Sequence, residues 1–171
     1  IRDKIDPVRV MTNISTGKTG TMLASELVSA GAKVTLVYGP GTAKPPKGAK
    51  IIRVQTLSEM FDAVKKELRK KFDVVILAAA VSDFIPKSSN SKIKSNKNTA
   101  IKLTRAPKII DHIKNIHKGI LIGFKAEANV SKKELVSRAR KKLKESDVDL
   151  MIANDIGSGY NNSDYNEVFL V

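Results

Sequence analysis

The sequence predicts an α/β protein: a doubly wound, mainly parallel sheet with helices on both faces. Three observations carry that expectation. Short apolar segments alternate with amphipathic helical patterns along the chain. Three of those segments, Asp73 to Ala79, Ile120 to Phe124 and Val148 to Ala153, are apolar almost throughout instead of alternating, as strands buried on both faces are. Residues capable of chemistry gather where these strands end, the place where open parallel sheets bind ligands.

The elements follow in order. Val8 to Met11 is apolar, and Asn13 to Gly20, N-I-S-T-G-K-T-G, leads into a helix over Thr19 to Ala30 that Gly31 ends. Lys33 to Tyr38 is a short strand, Gly39-Pro40-Gly41 a turn, and Pro45-Pro46 keep the next stretch irregular before a strand at Ile51 to Val54. Thr56 and Glu59 form a capping box, and Leu57, Met60, Phe61, Val64 and Leu68 then recur at helical spacing as a core-facing stripe. Asp73 to Ala79 is expected as a central strand. Pro107 to Asn115 is a helix with proline at its first position, and Ser131 to Glu145 a helix with a second capping box at Ser131 and Glu134. Glu167 to Val171 has strand character.

At 171 residues and 42% hydrophobic content the chain is expected to be one domain, 1–171, with a proper core. It starts at Ile1 and stops within the last strand pattern, so it is expected to be cut at both ends from a longer polypeptide. There are no cysteines, which excludes a disulfide, a thiolate nucleophile or a zinc–sulfur site built from these residues. No apolar run is long enough to span a bilayer and no signal-peptide pattern opens the chain, so a cytoplasmic location is expected. Lys and Arg number 31 against 17 Asp and Glu, a net charge of +14 that attracts anions. Many of the lysines fall on helices and are expected to face solvent. Aromatic content is only 5%, with no RRM, KH or helix-turn-helix signature, which argues against nucleic acid.

The stretch from Asn13 to Gly20 is the most informative. Free N–H groups and the dipole at a helix start bind anions, glycines admit a ligand close to the backbone, and Lys18 adds positive charge. It is not a Walker A loop: the first glycine of that motif would fall on Thr12, and the apolar strands lack a Walker B aspartate. Three further polar clusters follow strands: Ala80 to Phe84, Gly123 to Glu127, and Asn154-Asp155. Ile85 to Ala100, rich in Pro, Ser, Asn and Lys, reads as a mobile loop beside the site; composition alone favours a solvated loop, and its position after a strand end raises the alternative of a basic lid over a phosphate. His112 and His117 lie in or just after a helix and are not assigned to a metal.

Together these segments resemble phosphopantothenoylcysteine synthetase, the ligase of coenzyme A synthesis, in its prokaryotic CTP-dependent form. The residues that carry the resemblance are Ile5-Asp6-Pro7-Val8-Arg9, Asn13 to Gly20, Ala78 to Phe84, Lys92-Ile93-Lys94, Gly123 to Glu127 and Ala153-Asn154-Asp155, in the family's order along essentially the whole chain. The family's glycine-rich strand end before I-D-P-V-R and its C-terminal helix are absent, and Ala128 stands where threonine often follows. The resemblance implies a Rossmann-like fold, a homodimer and a flavin-dependent decarboxylase fused or associated. It implies joining of 4′-phosphopantothenate to cysteine through an acyl-cytidylate, with CTP and Mg²⁺, releasing pyrophosphate and then CMP. By the same resemblance, Asn13 holds the acyl carbonyl; Ser15, Thr16 and Gly17 bind phosphate; Asp83 binds the ribose hydroxyls. Ala79 and Phe124 frame the cytosine, Lys92 with Lys94 neutralises charge on the α-phosphate, and Arg9 reaches phosphopantothenate across a dimer interface. No metal-ligating side chain is assigned.

Two other readings fit the sequence less well. A short-chain dehydrogenase needs Tyr-x-x-x-Lys, but Tyr38, Tyr160 and Tyr165 are followed four positions on by Thr42, Asp164 and Phe169. A non-catalytic basic domain binding nucleotide or nucleic acid fits the charge but leaves the polar clusters at strand ends unexplained.

Overall fold

A computed structural model describes residues 1–96, 98–157 and 166–171. Its first elements are β1 (Arg2–Asp6), β2 (Arg9–Thr12), α1 (Lys18–Ser29), β3 (Thr35–Tyr38), β4 (Lys50–Arg53), α2 (Leu57–Glu67) and β5 (Val74–Leu77). They are followed by β6 (Phe84–Pro86), β7 (Leu103–Arg105), α3 (Ile109–Ile116), β8 (Ile120–Glu127), α4 (Lys132–Ser146), β9 (Leu150–Asp155) and β10 (Val168–Leu170). The chain divides into two compact units, Ile1–Arg69 with Ala79–Lys108, and Lys70–Ala78 with Ile109–Val171. Tyr160 and Tyr165 lie outside the described residues.

The first unit holds three two-stranded pairings: β1 with β2 and β6 with β7, both antiparallel, and β3 with β4, parallel. The apolar stretch before the phosphate-type turn is therefore the second strand of a hairpin and not a parallel strand feeding a helix. The sequence Asp6-Pro7-Val8-Arg9 decides this. Asp6 Oδ1 accepts the N–H groups of Val8 at 3.0 Å and Arg9 at 2.9 Å, which closes the chain back on itself as an Asx turn. Helix α2 starts as expected. The Thr56 hydroxyl accepts from Glu59 N–H at 3.2 Å, and Glu59 Oε2 reaches back to Gln55 N–H at 2.7 Å, one residue earlier than a standard capping box. Leu57, Met60, Tyr38, Val54 and Ala24 are buried.

The second unit is a four-stranded sheet in the order β10-β9-β8-β5, parallel except for β10. Helix α4 packs on β8 and β9. Leu121, Ile113, Leu135, Ala139, Met151 and Ala153 fill its core, each 2% exposed or less. Gly123 makes room for that packing: a Cβ there would lie 3.0 Å from Met151 Cε and 3.3 Å from Ile110 Cδ1.

Four expectations change. β5 is the edge of this sheet among the described residues, and Val74 is exposed, so it is not the central strand buried on both faces; β8 and β9 hold that place. β8 runs to Glu127, not Phe124, because Lys125, Ala126 and Glu127 go on pairing with Ala153, Asn154 and Asp155. Lys125 and Glu127 share one face of the strand and form an ion pair at 2.8 Å, which satisfies the charges that made the segment look like loop. Helix α3 runs over Ile109–Ile116 and so starts two residues after the proline expected at its first position; Ala106 N–H bonds Asp83 C=O at 2.9 Å just before it. In α4, Ser131 caps Glu134 N–H at 3.2 Å, but the Glu134 carboxylate turns to Arg138 at 2.5 Å, leaving half a capping box.

Candidate active site

The phosphate-type turn belongs to the first unit. Asn13 to Thr16 carry no regular structure and are exposed, and Gly17 is the N-cap of α1 with φ +77, a left-handed backbone that favours glycine. No side chain caps the helix and no acidic residue stands in its first turn. Ser15 Oγ and Thr16 Oγ1 meet the N–H groups of Gly17 and Lys18 only at 3.4 and 3.3 Å. The Ser15 and Thr16 hydroxyls thus lie beside the positive end of the helix dipole.

The turn is braced from below by residues that motif reading passed over. Thr16 C=O accepts the N–H groups of Thr42 and Ala43, both at 3.0 Å, and the buried Tyr38 donates its hydroxyl to Ala43 C=O at 2.6 Å. A Cβ on Gly17 would lie 2.9 Å from Tyr38 Cε2, and one on Gly41 only 2.6 Å from Thr16 O. Both glycines are demanded by this close approach. The Arg53 guanidinium stacks 5.7 Å from the Tyr38 ring centre, within cation–π range.

The basic stretch after β6 is tied within the first unit at three described residues. Lys87 N–H bonds Lys102 C=O at 3.0 Å, Ser89 N–H bonds Ile5 C=O at 2.9 Å, and Ile93 N–H bonds Asp6 Oδ2 at 3.1 Å. Arg9 pairs with Asp6 through Nε at 2.9 Å and through Nη2, and Nη2 also donates to Ile93 C=O at 2.7 Å. This clasp joins the first hairpin to the segment bearing Lys92 and Lys94, whose side chains are exposed. The Arg9 guanidinium beside it holds the Asp6 carboxyl well below the usual carboxylate range, against the opposing effect of burial. Sequence reading gave Asp6 no role of its own. The signal was present, since a carboxylate before proline with arginine three residues on is an Asx-turn pattern.

Asp83 is exposed and stands just before β6, its backbone carbonyl taken by Ala106 N–H. Ala79 C=O accepts Val81 N–H at 3.0 Å, turning the chain sharply after β5. Arg9, Asn13, Ser15, Thr16, Gly17, Ala79, Asp83, Lys92 and Lys94 all fall in the first unit; Phe124 lies within β8 of the second, opposite Ile152. The remaining polar clusters of the second unit are internally paired. Glu127 accepts from Lys125 at 2.8 Å and Arg138 at 2.7 Å, and Lys125 first, then Arg138, lower its pKa. Asp155 Oδ1 accepts the N–H groups of Asn129 and Gly157 at 3.0 and 2.8 Å.

A helix start without a side-chain cap, a braced glycine turn and an anchored basic arm lie together in the first unit of an α/β protein. The whole chain, residues 1–171, matches the family described as DNA/pantothenate metabolism flavoprotein C-terminal domain, and the protein belongs to that family. It is 43% identical over 173 residues to the coenzyme A biosynthesis bifunctional protein CoaBC of Thermococcus kodakarensis, covering 99% of this chain and 42% of that protein. The protein of the same description from Borreliella burgdorferi is 43% identical over 172 residues, covering 98% of this chain and 43% of its length. The chain therefore spans less than half the length of these relatives. Among solved structures, the DNA/pantothenate metabolism flavoprotein from Streptococcus pneumoniae superposes with a TM-score of 0.87 at 30% identity, covering 99% of this chain and 84% of that one. The C-terminal domain of a coenzyme A biosynthesis bifunctional protein CoaBC superposes with a TM-score of 0.77 at 34% identity, covering 99% and 80%.

Proposed function

We propose that this protein acts in coenzyme A biosynthesis as the ligase that joins 4′-phosphopantothenate to cysteine at the expense of CTP. The observation that carries the reading is the braced, uncapped turn at Asn13–Gly17 in a chain matched along its whole length to this family. In the first half-reaction a carboxylate oxygen of 4′-phosphopantothenate attacks the α-phosphorus of CTP and expels pyrophosphate, leaving an acyl-cytidylate. In the second, the cysteine amine attacks the acyl carbonyl, loses a proton and expels CMP. Neither step needs a protein nucleophile; both need phosphates held, charge offset and reactants aligned.

The chain supplies those functions as follows. Ser15, Thr16 and Gly17 bind phosphate through hydroxyls and backbone N–H groups. Asn13 holds the acyl carbonyl with an uncharged amide. Lys92, with Lys94 beside it, offsets charge at the α-phosphorus. Asp83 accepts from the ribose hydroxyls, Ala79 meets the base through its backbone, and Arg9 meets phosphopantothenate from the neighbouring copy of a homodimer. Mg²⁺ arrives with the triphosphate, whose oxygens it prefers. We further propose that a flavin-dependent decarboxylase accompanies this domain and that both work in the cytoplasm. No helix among the described residues is long and apolar enough to cross a membrane.

The test is pyrophosphate release with 4′-phosphopantothenate, Mg²⁺ and CTP, first without and then with cysteine. Release that requires both 4′-phosphopantothenate and CTP, followed by CMP on adding cysteine, is the expected result; a parallel assay with ATP sets the nucleotide. Lys92→Ala is expected to slow release by about 10²–10³-fold, the usual loss of a group that stabilises developing charge. Absence of release, with salt-dependent retention on DNA or RNA instead, overturns the reading in favour of a basic binding domain.

A further inference from the structure

Asp6 stands apart among the most deeply buried side chains: at 1% exposed it is the charged member of a group otherwise made of Ile113, Leu121, Leu135 and Met151. Its carboxylate receives five donors. Oδ1 takes the N–H groups of Val8 and Arg9, at 3.0 and 2.9 Å; Oδ2 takes Arg9 Nε at 2.9 Å, Arg9 Nη2, and Ile93 N–H at 3.1 Å. An Asx turn needs only the Oδ1 pair. The Oδ2 bonds are unnecessary for a hairpin: two go to the Arg9 side chain and the third reaches 87 residues along the chain to Ile93. With Arg9 Nη2 on its carbonyl at 2.7 Å, Ile93 has both backbone groups held, and Ser89 N–H on Ile5 C=O adds a second tie at 2.9 Å.

We infer that Asp6, acting through Arg9 and the backbone of Ile93, is a positioning residue for Lys92 and Lys94. The inference rests on the functional reading above, which gives those lysines the α-phosphate. Fixing the residue between them fixes the points from which both stems depart, about 3.8 Å to either side, and leaves only side-chain torsions to be ordered during reaction. The ionised carboxylate is needed because it gathers a guanidinium and three amide donors at once.

The test is a double-mutant cycle read by pyrophosphate release, with amide hydrogen exchange as a readout independent of activity. Asp6→Asn keeps the shape but removes the charge and one acceptor. It is expected to lower kcat for release by about 10²-fold, as a displacement of about 1 Å does, with a smaller effect on KM for CTP. In a background that lacks both lysines, Lys92→Ala with Lys94→Ala, the same substitution should lower kcat by less than about 3-fold, because the groups being positioned are gone. Exchange should quicken over residues 88–96 and stay unchanged over α4. Equal losses in both backgrounds, or unchanged exchange over 88–96, overturn the inference while leaving the ligase reading in place. Absence of release from the unsubstituted protein overturns that reading and the inference with it. Should Asp6→Asn fail to fold, Ile93→Pro removes the donated N–H while sparing Asp6 and its turn, and the same cycle applies.

Discussion

The two units solve the problem of staying folded differently. In the second, Leu121, Ile113, Leu135 and Met151 are almost wholly buried, and burial of such apolar side chains is the main favourable term. In the first, Leu57, Ala24, Val54 and Met60 are also buried, but its most deeply buried side chain among the described residues is Asp6, a carboxylate satisfied by five hydrogen bonds. Its turns and arms are joined by hydrogen bonds between segments: Thr42 and Ala43 to the Thr16 carbonyl, Ser89 to the Ile5 carbonyl, Ile93 N–H to the Asp6 carboxylate. The difference teaches how an exposed polar surface is held. A surface that presents hydroxyls and lysines to solvent cannot be held by covering it with apolar side chains, so it is held by directional polar contacts.

Four substitutions sharpen or break this contrast. Leu121→Ala should have the largest effect, a loss of about 2–5 kcal/mol in denaturant-unfolding free energy, since it removes a fully buried side chain from the apolar unit. A loss below about 1 kcal/mol would mean that the sheet is not held chiefly by its core. Gly17→Ala comes next, at about 1–3 kcal/mol, from left-handed strain at φ +77. The contact with Tyr38 adds to that strain, and phosphate binding should weaken more than stability does.

Glu127→Gln tests polar support in the apolar unit. Lys125 and then Arg138 depress the Glu127 pKa in the folded state, so its stabilisation is present above the unfolded value of about 4.5 and is lost as pH falls through the lower folded value. Urea midpoints followed downward from neutral pH should therefore fall less steeply in the variant than in the unsubstituted protein; parallel curves would show that the ion pairs contribute nothing measurable. Ser146→Ala should have the smallest effect. The Ser146 hydroxyl is buried with no partner, so its removal should leave stability unchanged or raise it by up to about 1 kcal/mol in a thermal melt.

Much of the local structure was legible because its signals are short-range. The glycine-containing turn before α1, the Thr56 and Ser131 caps and the amphipathic stripe of α2 each depend on residues within one or two turns of each other. Strand ends were less legible: Lys125 to Glu127 and Asn154-Asp155 look like loop until the register of β8 on β9 pairs them. The rank of β5 within its sheet was not legible at all, because an apolar run says that a strand is covered and not which strand lies beside it.

By itself, then, the sequence determined the α/β class, the capped helices, the phosphate-type turn and the family motifs in their order, all of them local patterns or strings of residue types. Only the tertiary structure decided that Tyr38 lies under Gly17 and that Asp6 and Arg9 seize the backbone of Ile93 across 84 to 87 residues of chain. The reason is physical. Helical and strand periods repeat within a few residues and leave a trace in composition, whereas a hydrogen bond from one side chain to a distant peptide group has no period and can be made by almost any intervening sequence that brings the two ends together.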